Sequence, residues 1–197
     1  MKNSTIVLAS SSPRRIEILK KNGIEPVVIR PDADESLSDG IEPEDAVMQL
    51  ALKKALSVVP IIRERFPDCP VIVIAADTIV YLDGIIGKPR DRQDAYTILD
   101  RLRGKEHFVA TGVAILEPDT GSKKVFCEVT KVGFRDYPDS DINLYIDTEE
   151  PYDKAGGYAI QGGWSKNVAY IVGDYDNVVG FPWSRIKEEL ESFAHRP

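Results

Sequence analysis

Short apolar runs alternate with longer amphipathic stretches along the chain, and this alternation predicts strands interleaved with helices. The most apolar run covers residues 71–76, where Val and Ile alternate at its start. A run of this kind predicts a strand that is covered on both faces and is therefore central in a sheet. Further strands are predicted at residues 5–9, 25–30, 79–82, 108–116, 125–134 and 169–172.

Turn and capping residues mark where the predicted helices begin and end. Pro13 is favoured in the first turn of a helix, and Gly23 suits the position after its last turn. Asp91 is expected to cap a helix that Gly104 ends. The predicted helices cover residues 13–22, 43–58, 91–103, 138–148 and 182–193, with a short helical piece at 61–66. Together with a hairpin through residues 118–121, this order predicts the α/β or α+β class with a mixed sheet.

Composition and charge restrict the partners that suit this chain. Its 197 residues fit one sizeable domain or two small, closely packed ones, with 43% hydrophobic and 29% charged residues. A net charge of −7 argues against broad nucleic-acid binding, and the local positive charge near Arg14, Lys54 and Lys88 suits a small anionic ligand instead. Because no apolar stretch reaches membrane-spanning length and no signal-peptide pattern is present, we expect no membrane partner and a cytoplasmic location.

Cysteine and histidine usage points to neither zinc nor a catalytic histidine. Cys69 and Cys127 lack the spacing and the neighbouring histidines of a zinc site. Buried, reduced thiols are the ordinary expectation in a reducing compartment, and a disulfide between the two stays open. His107 and His195 are far apart and belong to no paired motif, so neither is predicted to be a catalytic base.

The segment at residues 8–15, Leu-Ala-Ser-Ser-Ser-Pro-Arg-Arg, joins the first predicted strand to the first predicted helix. Free backbone N–H groups and the positive end of the helix dipole converge beside the serines, and this geometry attracts phosphate. The guanidinium groups of Arg14 and Arg15 would complete a polyphosphate site. Ordinary helix capping and surface charge explain the same residues, and the segment alone does not decide between these interpretations.

Two carboxylates are candidates for chemistry. Asp77 directly follows the most apolar run, where an ionised carboxylate is costly unless it is paired or binds a cation. A strand-ending Asp that caps the next turn is the alternative. Glu35, in the acidic loop at residues 31–40, is the second candidate, because two carboxylates beside phosphate oxygens suit Mg²⁺. A solvated acidic turn explains that loop more simply, and Asp32 and Asp34 compete with Glu35.

A glycine-rich stretch at residues 153–163 is predicted to be irregular. Its small residues permit close approach of the backbone to a ligand, and Gln161 offers both donors and an acceptor, which suits a pyrimidine edge. A tight loop whose glycines only serve turns is the alternative. Lys54 and Lys88 are isolated lysines of the kind usually found at a surface, and residues 84–88 lack the spacing of a Walker phosphate loop.

Taken together, five stretches resemble the Maf family of nucleoside triphosphate pyrophosphatases. They are residues 8–15 (LASSSPRR), 76–80 (ADTIV), 87–91 (GKPRD), 153–162 (DKAGGYAIQG) and 177–182 (NVVGFP). They occur in the family's order and span nearly the whole chain, which makes the ordered set specific. The resemblance implies a single domain over residues 1–197 with the Maf/Ham1 fold, an elongated mixed sheet flanked by helices with a cleft between two lobes.

The resemblance also implies an enzyme with a house-cleaning activity, the hydrolysis of nucleoside triphosphates to the monophosphate and pyrophosphate. The implied cofactor is a divalent cation, Mg²⁺ in the first place, with Mn²⁺ and Co²⁺ as alternatives. Matching the family's motifs residue by residue implies the following roles. Asp77 is the catalytic residue and a metal ligand, Glu35 is a second metal ligand, Arg14, Thr78 and Gln161 set substrate specificity, and Ser10, Arg14, Arg15, Lys54 and Lys88 bind phosphate.

The stretch at residues 153–162 resembles the branch of the family that acts on dTTP, UTP and related pyrimidine nucleotides. The branch that acts on methylated guanosine nucleotides has Glu where this chain has Gln161. A carboxylate only accepts hydrogen bonds, as guanine requires, whereas an amide both donates and accepts, as uracil and thymine require. The alternatives are a nucleotide-binding regulator of septum formation without turnover, and an inosine-triphosphate pyrophosphatase of the related Ham1 type. Related proteins often form homodimers, which leaves a homodimer open here.

Overall fold

Strands and helices alternate along the part of the chain that the structure, a computed structural model, describes: residues 4–38 and 40–194. The strands are β1 Thr5–Ala9, β2 Val27–Ile29, β3 Val71–Tyr81, β4 Ile85–Ile86, β5 Glu106–Leu116, β6 Lys123–Phe134 and β7 Val168–Val172. The helices are α1 Pro13–Lys21, α2 Pro43–Ser57, α3 Val59–Arg65, α4 Arg92–Leu102, α5 Asp139–Ile146, α6 Tyr175–Val179 and α7 Trp183–Ala194. His195 lies outside the described residues.

One mixed sheet contains all seven strands, in the order β2-β1-β3-β5-β6-β7 with β4 paired to β3. β1 pairs in parallel with both β2 and β3. β4 runs antiparallel to β3, and β7 runs antiparallel to β6. The mixed α/β class predicted from the sequence is confirmed.

The chain forms two compact units. The first comprises Met1–Asp77, Thr111–Cys127 and Gly180–Pro197, and the second comprises Thr78–Ala110 and Glu128–Val179. The single domain over residues 1–197, with its cleft, stays a prediction.

The core of the first unit lies between the sheet and α2. Val7 and Ala9 of β1, with Val73 of β3, pack among buried residues that include Ala51 and Ala55 of α2. Small side chains on this helix face permit close approach of the helix to the sheet, and burying the apolar face stabilises the unit. This packing fixes the helix that carries Lys54 above the strand that carries Asp77.

The core of the second unit is rich in aromatic side chains. Trp164 is fully buried, and its ring centroid lies 4.8 Å from those of both Tyr137 and Tyr145. Phe134 packs edge-on against Tyr158, with ring centroids 4.8 Å apart. Such edge-on and offset pairs are the favoured geometries of aromatic rings, so the cluster holds a rigid base for the glycine-rich stretch.

Several boundaries differ from the prediction, and the largest difference concerns β3. Asp77 and Thr78 do not interrupt the strand; they lie inside one continuous strand, Val71–Tyr81, which pairs with β4 near its far end. Asp77 is therefore not a strand-ending cap. β4 and α6 were not predicted, because segments of two and five residues carry too little periodicity.

Two smaller expectations are settled by the structure. The helix predicted over residues 43–58 ends at Ser57, and α3 begins at Val59 with Pro60 in its first turn, where proline is tolerated. Cys69 is exposed, so the expectation that it is a buried thiol is wrong.

Within residues 4–38 and 40–194, no helix is both long and apolar enough to cross a bilayer.

Candidate active site

The turn after β1 is held by a buried serine. The Oγ of Ser10 accepts a hydrogen bond from the backbone N–H of Ser12, 3.2 Å away. α1 then begins at Pro13, and Ser12 makes no side-chain capping hydrogen bond. The first turn of the helix therefore keeps N–H groups that its own capping residue does not satisfy, which is the geometry that binds anions.

Arg15 ties this turn to the backbone at two distant positions. Its Nη1 donates to the carbonyl oxygen of Ala76 at 2.5 Å, and its Nε donates to that of Gly180 at 2.9 Å. Nη1 also lies 3.3 Å from the Oγ of Ser10. Burial lowers the pKa of Arg15, and the charge of Asp77 raises it in part. Arg15 thus supplies positive charge next to Asp77 while bracing the backbone around it.

Lys54 joins the two candidate carboxylates. Its Nζ lies 2.5 Å from Oδ1 of Asp77 and 2.8 Å from Oε1 of Glu35. The side chains of Lys54 and Asp77 are each only 14% exposed, whereas that of Glu35 is 65% exposed. A charge pair this shielded is screened far less by salt than a surface pair, so the contact fixes both groups.

The donor set around Lys54 fits a hard divalent cation. Two carboxylates already converge on one positive group, and carboxylate oxygens are the ligands that Mg²⁺ prefers. Among the described residues no cluster of three or more His, Cys, Asp or Glu side chains could hold a metal ion. Mg²⁺ is commonly held by one or two carboxylates, with waters and substrate phosphate oxygens as its remaining ligands. Asp77 and Glu35 match that pattern.

The glycine-rich stretch packs against the loop that carries Lys88. Gly156 and Gly157 adopt φ of +70° and +68°, and the N–H of Gly156 donates to the carbonyl oxygen of Gly87 at 3.0 Å. A Cβ on Gly156 would lie 2.8 Å from the Val80 side chain, and one on Gly157 would lie 3.0 Å from Pro89. Both glycines are therefore required here for backbone conformation and for close packing.

Three of the predicted site residues present side chains without partners among the described residues. Arg14 is partly exposed, Lys88 and Gln161 are exposed, and none makes a hydrogen bond or ion pair with the described part of the chain. Thr78 lies in β3 next to Asp77 and is partly buried. Direct contacts in the first unit join Ser10 to Arg15 and, separately, Lys54 to Asp77 and Glu35. The two groups meet at β3, where Arg15 donates to the carbonyl oxygen of Ala76, the residue before Asp77.

Two anchors of this site were missed from the sequence. The carbonyl oxygens of Ala76 and Gly180 accept from Arg15, and no sequence signal identifies a backbone carbonyl as a partner of a particular arginine. Gly180 does lie in the stretch at residues 177–182 that the resemblance singled out. The sequence shows Lys53 only as the neighbour of Lys54 in a locally positive segment, yet its Nζ donates to the carbonyl oxygen of Ser36, the residue after Glu35, at 2.9 Å.

Comparison with known proteins gives matches along almost the whole chain. The family described as Maf-like protein matches residues 5–193. A relative named dTTP/UTP pyrophosphatase, from Dictyoglomus turgidum, is 46% identical over 194 residues, which are 96% of this chain and 96% of the relative.

Relatives from other bacteria carry the same printed name. One from Caldanaerobacter subterraneus is 46% identical over 187 residues, covering 94% of this chain and 87% of the relative. One from Carboxydothermus hydrogenoformans is 43% identical over 191 residues, covering 96% of this chain and 99% of the relative. The family match over residues 5–193 includes every predicted site residue, from Ser10 to Gln161.

Proposed function

The chain belongs to the Maf family, the Maf-like proteins, and from this premise we propose that it hydrolyses dTTP and UTP to the nucleoside monophosphate and pyrophosphate. Relatives at 43% to 46% identity are named dTTP/UTP pyrophosphatase, which supports the proposal. We include a house-cleaning role, in which hydrolysis of modified pyrimidine triphosphates removes them from the pool that polymerases use. Modified pyrimidine nucleotides are included among the proposed substrates.

One observation supports placing the proposed hydrolysis at this site: the Lys54 ammonium contacts the carboxylates of both Asp77 and Glu35. A protein that only binds a nucleotide gains nothing from a shielded carboxylate such as Asp77 beside its phosphate-binding cations, because a carboxylate repels phosphate. An enzyme needs such a group to accept a proton or to hold a cation. The arrangement therefore supports turnover over binding alone.

In the proposed reaction, the cationic residues position the triphosphate and offset its charge. Ser10, Arg14, Arg15 and Lys54 contact phosphate oxygens. Arg15 also holds the backbone beside the helix N-terminus, through the carbonyl oxygens of Ala76 and Gly180. Lys88 is a further proposed phosphate contact. Positioning and charge stabilisation account for most of the rate gain in phosphoryl transfer.

Asp77 accepts the proton of the attacking water. The water oxygen forms a bond to the α or the β phosphorus, the bridging bond between those two phosphoryl groups breaks, and either route yields the monophosphate and pyrophosphate. Asp77 and Glu35 would hold the divalent cation, Mg²⁺ in first place. When bound, that cation supplies charge neutralisation of the phosphate oxygens and acidifies bound water.

Base recognition is assigned to Gln161, with Arg14 and Thr78 as further specificity residues. The exposed amide of Gln161 has no partner among the described residues, so its donors and its acceptor are available to a base. Uracil and thymine each present an N–H donor between two carbonyl acceptors, and an amide complements one donor with one neighbouring acceptor. We place the reaction in the cytoplasm, where nucleoside triphosphates are made and used; a homodimer stays a prediction.

A nucleotide panel tests the proposal. The protein is incubated with dTTP, UTP, CTP, GTP and ITP, and phosphate is measured colorimetrically with and without added inorganic pyrophosphatase. We expect phosphate from dTTP and UTP only when pyrophosphatase is present, because the primary product is pyrophosphate. Tight nucleotide binding without any phosphate would favour the regulator, and a preference for ITP would favour the Ham1-type enzyme; either result overturns the proposal.

A further inference from the structure

The exposed residue Gln161 lies in a turn between two buried residues, Ile160 and Trp164. Ile160 on one side is 5% exposed, and Trp164 on the other is fully buried. The N–H of Gly162 donates to the carbonyl oxygen of Ala159 at 3.2 Å, which closes the turn beneath Gln161. The backbone on either side of Gln161 therefore sets the direction of its Cα–Cβ bond, from which the amide extends.

Two side chains hold that backbone at positions symmetric about Gln161. Two residues before it, the N–H of Ala159 donates to the hydroxyl oxygen of Tyr145 at 3.0 Å. Two residues after it, the N–H of Gly163 donates to Oε2 of Glu150 at 3.1 Å. A Cβ on Gly162 would collide with the Glu150 carboxylate, so glycine at this position makes room for it.

Both acceptors are themselves held in place. Tyr145 is 6% exposed, lies in α5, and packs against the buried ring of Trp164 at 4.8 Å between centroids. The N–H of Glu150 donates to the Oγ1 of Thr148 at 3.3 Å, just beyond the end of α5. The two acceptors thus belong to one short segment that is anchored by the aromatic cluster.

We propose that Tyr145 and Glu150 are positioning residues for base recognition, which act by fixing the backbone on both sides of Gln161. This inference rests on the proposed function, since it assumes that Gln161 contacts the base. A side-chain amide selects one base over another only if its direction is fixed to within about 10–20°. Loosening either backbone contact lets the amide adopt directions that suit other bases, so discrimination falls more than catalysis.

The test uses Tyr145→Phe, which removes one hydroxyl and keeps the ring in the aromatic cluster. Losing one hydrogen bond is expected to lower the ratio of kcat/KM for UTP to that for GTP by about 5-fold. The change should be mostly in KM for UTP. Glu150→Ala is expected to act in the same direction, and Glu150→Gln, which retains an acceptor oxygen, should recover most of the discrimination.

Tyr152→Phe is the matched control in the same unit. Its hydroxyl donates to the carbonyl oxygen of Ile146 at 2.7 Å and does not contact residues 159–163. We expect this variant to keep the wild-type ratio of UTP to GTP. Equal loss of discrimination in Tyr145→Phe and Tyr152→Phe would contradict the proposal, because it would reflect general loosening of the unit.

A double-mutant cycle separates failure of this inference from failure of the proposed function. If Tyr145 acts through Gln161, Tyr145→Phe has no further effect on discrimination once Gln161 is replaced by Ala. The positioning role is wrong if Gln161→Ala lowers discrimination and Tyr145→Phe leaves discrimination unchanged. It is also wrong if Tyr145→Phe lowers discrimination further in the presence of Gln161→Ala. If Gln161→Ala itself leaves discrimination unchanged, base recognition by Gln161 is wrong, whatever Tyr145 does.

Discussion

The ammonium of Lys54 lies 2.5 Å from a carboxylate oxygen of Asp77, although 23 positions separate the two residues in the chain. The contact joins the last turn of α2 to the middle of β3. Each partner is shielded from water, so each would be costly to leave alone. The sequence offers two neighbouring lysines in α2, and the structure assigns only Lys54 to this contact.

Replacing Lys54 with Met should lower kcat/KM for UTP by at least about 100-fold, because the variant loses a phosphate-binding cation and leaves Asp77 without its partner. Lys53→Met is the matched control. Lys53 donates to the carbonyl oxygen of Ser36 at an exposed position, and we expect its loss to change kcat/KM by less than about 3-fold. Equal losses in the two variants, measured by initial rates, would contradict the assignment.

The two adjacent arginines should differ in their effect on stability. Arg15→Lys cannot reproduce the planar fork that reaches the carbonyl oxygens of Ala76 and Gly180, so the free energy of unfolding should fall by about 2 kcal/mol. Arg14 makes no contact of this kind among the described residues. Arg14→Ala should leave stability within about 0.5 kcal/mol of wild type and raise KM for UTP.

Urea unfolding of both arginine variants, together with steady-state kinetics, checks this contrast. A loss of stability in Arg14→Ala as large as that in Arg15→Lys would show that the two side chains share one structural role. An unchanged KM in Arg14→Ala would remove Arg14 from the substrate contacts.

Gln161→Glu should lower kcat/KM for the pyrimidine substrates. A carboxylate can only accept hydrogen bonds, so it loses the donor that a carbonyl of uracil or thymine requires. We expect kcat/KM for UTP and dTTP to fall by at least about 10-fold relative to that for GTP. Gln93→Glu, at an exposed position of α4, introduces the same charge and should leave the preference unchanged.

Buried His107 should make stability fall as the pH drops. Burial lowers its pKa from 6.5 to about 4 in the folded protein. Between these values the unfolded chain binds a proton that the folded chain does not, so unfolding is favoured as pH falls through about 6.5. The slope contributed by this group is at most about 1.4 kcal/mol per pH unit.

The measurement is the free energy of unfolding in urea between about pH 7 and pH 5. His107→Gln, which stays uncharged and can still bond the hydroxyl of Tyr158, should show a shallower dependence than wild type over this range. The same slope in both proteins would show that His107 does not carry the effect.

Local signals in the sequence were sufficient to predict where a helix begins or ends when a single residue determines that position. Asp91 was expected to cap a helix, and its Oδ1 accepts from the N–H of Asp94 at 2.8 Å at the start of α4. Gly23, expected to end the first helix, has a φ of +79°. Pro13 begins α1 as predicted. In these cases the capping chemistry acts within a few residues and needs no tertiary context.

Contacts between distant segments could not be predicted in the same way. The acidic loop offered Asp32, Asp34 and Glu35, and only the folded position of α2 selects Glu35 as the partner of Lys54. Tyr145 had no signal of its own, because a buried tyrosine on the apolar face of a helix resembles any core residue. The continuation of β3 through Asp77 likewise depends on tertiary pairing, because β3 lies between β1 and β5 in the sheet and its last residues pair with β4.

The most direct test of the whole account is to identify the products that the protein forms from UTP and to measure how their formation depends on Asp77. Wild-type protein and Asp77→Asn are incubated with UTP and Mg²⁺, and the phosphorus products are followed by ³¹P NMR, with circular dichroism to confirm that the variant is folded. We predict stoichiometric UMP and pyrophosphate from the wild type, and a rate lower by at least about 1,000-fold in the folded variant. UDP and phosphate as products, or near-wild-type turnover by Asp77→Asn, would contradict the account.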